Sequence, residues 1–284
     1  MNDTTQALLN RIADALDRLA PLPAVPPRFD QARLFRFEPG GQGRPEDRFI
    51  AAPDYGLALD LLVGVDRQKG QFVENTSRFA RGLPSNHALL WGSRGAGKSS
   101  LAKAAFMALG AIHAGLRMVE IDRDDIAALP RLFEDLRGRP ERFVVLCDDL
   151  SFEEGAAAAK SLKSALEGGV AGPPDNVMFV ATSNRRHLMP RHHDERGDPM
   201  ASAEDAEEEV SVSDRFGLWI GFPPMDQPAY LAAIHAYAAR FDLQVEGLDR
   251  RALQWSQRRG ARSGRVAWQF IRDLAGELGK PLPL

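Results

Sequence analysis

Apolar residues recur along the chain with two different periods, and the places where the period changes divide it. Over residues 5–20, Leu8, Ile12, Leu16 and Leu19 fall three or four apart and share one face, which predicts an amphipathic helix. The stretch 21–27, PLPAVPP, then puts four prolines in seven residues and makes a stiff, extended linker. The helix is therefore a separate arm, free to pack on its own chain or on a neighbouring subunit. Residues 28–52 are rich in Arg, Gly and Phe and show no clear period; GGQG at 40–43 reads as a turn. From about residue 53 the pattern sharpens. Leu57–Leu62 and Phe72–Phe79 predict two helices on either side of the turn Gly64-Val65-Asp66. Short apolar runs follow at His87–Trp91, Met118–Ile121, Phe143–Cys147, Val177–Thr182 and Leu218–Phe222, with the look of strands buried on both faces. Helical patterns at 98–109, 124–137 and 153–167 alternate with them. Alternation of this kind implies an α/β fold with a parallel sheet. After Pro223-Pro224 the pattern turns all-helical, over 226–241, 249–259 and 263–278. The predicted organisation is an arm and linker (1–27), an α/β domain of about five strands (28–224, its core from about 53) and a small helical domain (225–284). No internal repeat is visible.

Composition narrows the class without naming a function. The chain has 284 residues, of which 44% are hydrophobic and 26% charged, which excludes a disordered, collagenous or coiled-coil chain. Its one cysteine, Cys147, excludes an internal disulfide and argues against a cysteine-based zinc site. Asp3, Arg11, Asp14, Asp17 and Arg18 interrupt the first twenty residues, so no secretory leader is predicted. No apolar run approaches the ~18–20 residues of a membrane helix. The expectation is a cytoplasmic protein without a membrane span.

Charge is unevenly placed. Residues 194–209 hold eight acids and one arginine, a local net of −7 in a chain of net −3, so the other 268 residues carry +4. Such a block reads as a solvated loop or as a docking surface for a basic partner. Arginines cluster near the C-terminus at 250, 251, 258, 259, 262, 265 and 272. Arg185, Arg186, Arg191, His192 and His193 form a second basic run. These clusters read as phosphate-backbone ligands, as a solvated helix face, or as partners of the 194–209 acids. Adjacent histidines on a loop rarely chelate a metal together, and Trp255 and Trp268 read as core.

The chemistry-bearing motif is Gly92-Ser93-Arg94-Gly95-Ala96-Gly97-Lys98-Ser99, a full match to G-x-x-x-x-G-K-[ST] between an apolar strand and an Ala-rich helix. Glycines let backbone N–H groups turn onto phosphates, and the following helix, from Ser100 onward, adds its dipole. Lys98 would bridge β- and γ-phosphates, and the Ser99 hydroxyl would ligate Mg²⁺. The predicted ligands are thus ATP and Mg²⁺. Fifty residues after Lys98, the strand ending in Cys147 is followed by Asp148-Asp149, the Walker B arrangement. Asp148 would hold Mg²⁺ through water. Asp149 stands where a base for the attacking water belongs, or alternatively caps the next helix; Glu153 and Glu154 are further candidates.

With these residues in view, roughly 50–275 resembles the AAA+ ATPases, and phrases such as CDDLSFE, LEGG, ATSNRRHL and SDRFGLW resemble an uncharacterised bacterial group among them. The resemblance implies roles for further residues. Asn184, ending the strand from Val177, would be sensor 1 and help to place the water. Arg215, in Ser213-Asp214-Arg215-Phe216, would be the arginine finger that reaches the γ-phosphate held by a neighbouring subunit. Arg265 would be sensor 2, with Arg262 a competitor. Gly64 and Val65 would contact adenine. An arginine finger implies a homo-oligomer, a ring or helical assembly. The implied function is a Mg²⁺-dependent ATPase, an oligomeric switch or motor that remodels or loads a protein client or nucleic acid. The alternative is a slowly hydrolysing, nucleotide-dependent scaffold or adaptor, possible because Asp149 replaces the family's usual glutamate and stands back by ~1.5 Å, one C–C bond. A peptide-pulling pore is disfavoured, since the stretch after the second strand is Asp122-Arg123-Asp124-Asp125, without an aromatic.

Overall fold

The computed structural model describes residues 28–40, 46–151, 156–168, 172–184 and 214–282, together with helical Thr5, Leu8 and Arg11. Apart from those three positions, the predicted arm and linker lie outside the described residues. So do Glu153, Glu154, the basic run 185–193, the acidic segment 194–209 and Ser213.

Seven strands form one sheet: β1 (Leu34–Glu38), β2 (Arg48–Ala52), β3 (Ala88–Gly92), β4 (Leu116–Ile121), β5 (Arg142–Cys147), β6 (Val177–Ser183) and β7 (Leu218–Phe222). Their order is β2-β1-β4-β5-β6-β3-β7. Every neighbouring pair is parallel except β1 with β2. The predicted five strands are all present, and 28–52 adds two more, so the α/β core begins well before residue 53. The reason these were not legible lies at the sheet edge. β2 has exposed Arg48, Ile50 and Ala51 and half-buried Phe49 and Ala52, and β1 carries exposed Arg36 among buried Leu34, Phe35 and Phe37. Neither forms a continuous apolar run. What holds them is Phe29, whose ring meets Phe35, Phe49 and Phe143 edge-on at 5.0, 5.1 and 4.7 Å.

Side chains alternate across the sheet as the strand period requires. On β5, Phe143, Val145 and Cys147 enter one core, and Val144 and Leu146 enter the other. The first is covered by α3 (Leu129–Leu136) and α4 (Ala156–Glu167) through Leu132, Phe133 and Leu162. The second is covered by α1 (Asp66–Ala80) and α2 (Lys98–Gly110) through Phe72, Phe79, Leu101 and Phe106. Two predicted helices change form. The span 124–137 opens as a 3-10 turn, Arg123–Ala128, capped by the Asp122 side chain, and becomes α-helical only around Pro130. Proline lacks a donor and has a fixed φ, so it suits a helix start and not an interior. Leu57–Leu62 shrinks to one 3-10 turn, Leu59–Leu61.

Three C-terminal helices, α5 (Gln227–Arg240), α6 (Leu248–Arg259) and α7 (Gly264–Glu277), share a third core built on Tyr230, Ile234, Phe270, Ile271 and Leu274. Asp226 caps α5 by accepting from Ala229 N at 2.8 Å, and Ser263 caps α7 by accepting from Val266 N at 3.2 Å. Leu61, from the segment before α1, completes this core and ties the helices to the sheet domain.

The strand order positions the site. β6 lies between β3 and β5, so the C-terminal ends of three strands emerge side by side. β7 presses on the end of β3 so closely that a Cβ on Gly92 (φ 128°) would sit 2.1 Å from the Phe222 carbonyl oxygen. Only glycine fits there.

At the other end of β3, His87 Nδ1 accepts a hydrogen bond from Phe179 N at 3.0 Å. Burial pushes the imidazole down to about 4. An unfolded histidine titrates near ~6.5. The folded value is depressed, so the neutral ring's contribution is full above pH ~6.5 and is lost as pH falls toward 4. Between pH 7 and pH 5 wild type should lose about 2 kcal/mol more stability than His87→Gln in urea unfolding. Parallel pH profiles for the two proteins would remove His87 as the source.

Candidate functional site

The loop 92–97 joins β3 to α2, whose first residue is Lys98, so the free N–H groups at the start of α2 border the loop. Gly95 (φ 73°) lies directly under the start of α7 in the C-terminal helical domain, here called the lid: a Cβ there would be 2.9 Å from Ser263 Oγ. Lys98 is only 6% exposed. Its ammonium donates to Gly92 O and Ser93 O, both at 2.9 Å, and to Asn184 Oδ1 at 3.0 Å. Burial pulls its pKa below the usual lysine value; Asp148 and Asp149 oppose that pull, and Arg265 and Arg94 add to it.

Two carboxylates follow β5. Ser99 Oγ and Thr182 Oγ1 both donate to Asp148 Oδ1. Asp149 adopts the left-handed conformation, φ 56°, which costs a non-glycine residue on the order of 1 kcal/mol. Thr182, on β6, holds that turn from two sides. Its Oγ1 accepts from Asp149 N at 3.0 Å, and its carbonyl accepts from Leu150 N at 2.7 Å. Asn184 Nδ2 donates to Asp149 Oδ1, and Arg123 Nη1 lies 3.9 Å from Asp149 Oδ2. Lys98, Ser99, Asp148, Asp149 and Asn184, drawn from three strand ends, thus form one connected network.

The network floors a cleft of about 810 Å³. Arg94, Gly95, Gly97, Lys98, Ser99 and Ser100 line it from the loop and α2. Arg265 lines it from the first turn of α7, whereas Arg262 is exposed and does not. Tyr55, Leu57, Leu62, Tyr237 and Trp268 add apolar and aromatic surface to the same cleft. Tyr237 and Trp268 meet edge-on at 5.4 Å, and burial raises the Tyr237 phenol to about 12. A cleft that combines cations, backbone donors and a hydroxyl–carboxylate pair with aromatic side chains suits a nucleoside polyphosphate. The Ser99 oxygen beside Asp148 is the hard, oxygen-only donor set that Mg²⁺ shares with phosphates.

Residues 31–278 match a family described as protein of unknown function (DUF815). The chain belongs to this family. Among curated proteins none matches. Solved structures show the fold. The ORC1 protein of Aeropyrum pernix, in complex with DNA, superposes with a TM-score of 0.56 at 17% identity, over 80% of this chain and 61% of that one. A RuvB variant of Thermotoga maritima gives 0.53 at 20% identity, over 80% and 68%. This DUF815 chain therefore has the AAA+ P-loop fold, with a mostly parallel sheet.

Other residues named from the sequence fall elsewhere. Gly92 and Ser93 offer carbonyls to Lys98 and line a second cavity of about 450 Å³ behind the loop. Ala96 and Val65 are buried in the core under α1 and α2, and Gly64 (φ 77°) abuts Ala229; neither Gly64 nor Val65 lines the main cleft. Leu62, two residues earlier, does. Arg215 precedes β7, at the opposite end of the sheet from the cleft, and forms an ion pair with Glu167 at the end of α4. Sequence reasoning missed Thr182, Arg123, Tyr55 and Tyr237, and read Trp268 only as core. Thr182 carried one usable signal, a hydroxyl at the polar end of an otherwise apolar strand. The others carried none, because they reach the cleft, or in the case of Arg123 the Asp149 carboxylate, from separate segments.

Thr182→Val keeps the shape and removes the hydroxyl, stranding Asp149 N–H and one bond to Asp148. Urea unfolding should show a loss of about 1–3 kcal/mol. Thr182→Ser should restore most of it. Equal losses in both variants would mean that the methyl group, not the hydroxyl, stabilises the turn.

Proposed function

We propose that this protein is a Mg²⁺-dependent ATPase that works as an oligomeric switch or motor on a macromolecular client. One observation carries the reading: Lys98, Ser99, Asp148, Asp149 and Asn184 meet at the strand ends beneath a cleft that Arg265 borders from the lid. In the proposed reaction Lys98 and the 94–100 backbone bind the β- and γ-phosphates, and Tyr55, Leu57, Leu62, Tyr237 and Trp268 enclose the base. Ser99 and Asp148 would hold Mg²⁺, which neutralises phosphate charge when bound. Asn184 orients the Asp149 carboxylate, which takes the proton of the attacking water. Arg265 adds positive charge from the same chain. Arg215, remote from its own cleft, is assigned to a neighbour's, so the functional unit is a homo-oligomer. A macromolecular client, protein or nucleic acid, fits a switch of this architecture.

A second reading rests on Asp149 itself. Its short side chain is held by Asn184 in a left-handed turn, which favours slow turnover and a nucleotide-dependent scaffold or adaptor. Rate separates the two readings.

Lys98→Ala should abolish ATP binding by calorimetry in a folded protein; retained affinity would overturn the phosphate-loop assignment. Asp149→Asn should bind ATP as wild type does and lose about 10²-fold or more of its turnover. If turnover is unchanged, the base lies elsewhere.

The shared site has its own test. Arg215→Ala and Lys98→Ala should each be inactive alone and regain partial activity when mixed, since mixed assemblies contain some complete sites. Absence of recovery despite demonstrated co-assembly would confine Arg215 to its own chain or to structure.

A further inference from the structure

The helix α6 packs on the lid core through Leu248, Ala252 and Trp255, with Ser256 buried beside them. Its other side is unusual. Arg250, Gln254, Gln257 and Arg258 fall at helical spacings i, i+4, i+7 and i+8, so they share one stripe, and all four are exposed. Arg262, exposed on the turn that follows, extends it. From 250 to 262 the chain has five arginines, two glutamines and no lysine, aspartate or glutamate. Solvated helix faces ordinarily interleave acids with bases. Elsewhere on this protein some exposed arginines do find a carboxylate, as in Arg78–Glu74 on α1 and Arg131–Asp47 on α3. On α6, Arg251 pairs with Glu277, and Arg259 lies over the Trp255 ring at 5.1 Å. Arg250, Arg258 and Arg262 have neither an ion pair nor a hydrogen bond among the described residues.

We infer that this stripe is a docking surface for double-stranded DNA, which deepens the client half of the proposed function without depending on hydrolysis. Three properties select the partner. The unpaired charge is all guanidinium, which binds phosphate oxygens through two parallel N–H groups. The amides between the charges, Gln254 and Gln257, donate and accept as base edges require. Arg250 and Arg258 are eight residues apart, about 12 Å along a rigid helix, and a helix of this width enters a major groove about 12 Å across. The surface is also local. The chain as a whole carries a net charge of −3, so attraction to a polyanion is confined to such patches. The charge pairs with phosphate, and the core residues of α6 play no part, so the stripe can be altered without disturbing the fold.

The test is fluorescence anisotropy of a labelled 30-base-pair duplex with the full chain at 50 and 200 mM salt. Three phosphate contacts, each contributing a slope near −0.9, predict a fall in affinity of roughly 40-fold across that range. The triple variant Arg250→Ala, Arg258→Ala, Arg262→Ala should lose at least tenfold in affinity at 50 mM salt and most of the salt dependence, with an unchanged thermal melt. Arg240→Ala, an exposed arginine on α5, should bind as wild type does. Poly-L-glutamate at equal charge should fail to displace the duplex. The inference is overturned if wild type does not bind at 50 mM salt, or if the triple variant binds equally well. It is also overturned if poly-glutamate competes as well as DNA, which would reassign the stripe to an acidic polypeptide such as the 194–209 segment. Binding is read without ATP turnover, so a protein that binds DNA and does not hydrolyse ATP would fail the ATPase reading alone.

Discussion

The ammonium of Lys98 is the constraint on which the site depends. A buried cation is costly unless paired and hydrogen-bonded, by several kcal/mol. Here it is satisfied by two carbonyls of its own loop and by Asn184 from another strand. Those acceptors exist only if β6 lies beside β3 and the two strands end level. The Gly92 backbone must then turn within touching distance of Phe222, which β7 supplies. Sheet order, strand length and the glycine at the turn are therefore all conditions for keeping one charge in place.

The same arrangement links the two carboxylates to the cation. Asn184 accepts from Lys98 with its oxygen and donates to Asp149 with its nitrogen, so a single amide couples the buried ammonium to the Asp149 carboxylate. Thr182, two residues earlier and on the same strand end, fixes the aspartate turn and one oxygen of Asp148. β6 thus contributes no charge and yet determines where both carboxylates point. Connected polar networks of this kind are rigid when fully satisfied, and a missing member is felt by all the others.

The lid completes the cleft by contact with the loop. Ser263 caps α7 and also rests on Gly95, while Arg265, two residues on, lines the cavity. Leu61 is buried in the lid core, and Leu62 beside it lines the cleft. The segment before α1 is therefore in contact with both the cleft and the lid core. The arginine stripe of α6 is followed on the next turn by Arg262, one residue from the cap at Ser263.

The sequence by itself determined the elements and motifs whose signals are local. The five central strands are continuous apolar runs because both faces are buried. The phosphate loop is legible because its glycines and Lys98 serve a backbone geometry set within eight residues. Asp148 and Asp149 are legible because they follow such a run. Only the tertiary structure decided the rest. β1 and β2 are edge strands with solvent-facing residues, so their pairing depends on Phe29 and on β4, not on their own pattern. Thr182, Tyr55, Tyr237 and Trp268 come to the cleft, and Arg123 to the Asp149 carboxylate, from separate segments, and no spacing along the chain encodes their distance from Lys98. Likewise, that Arg265 lines the cleft and Arg262 does not is seen only in the folded chain, where Val266, Phe270 and Leu274 anchor α7 in the lid core. Local steric and hydrogen-bonding rules act between near neighbours in sequence; a binding cleft is made by contacts between distant ones.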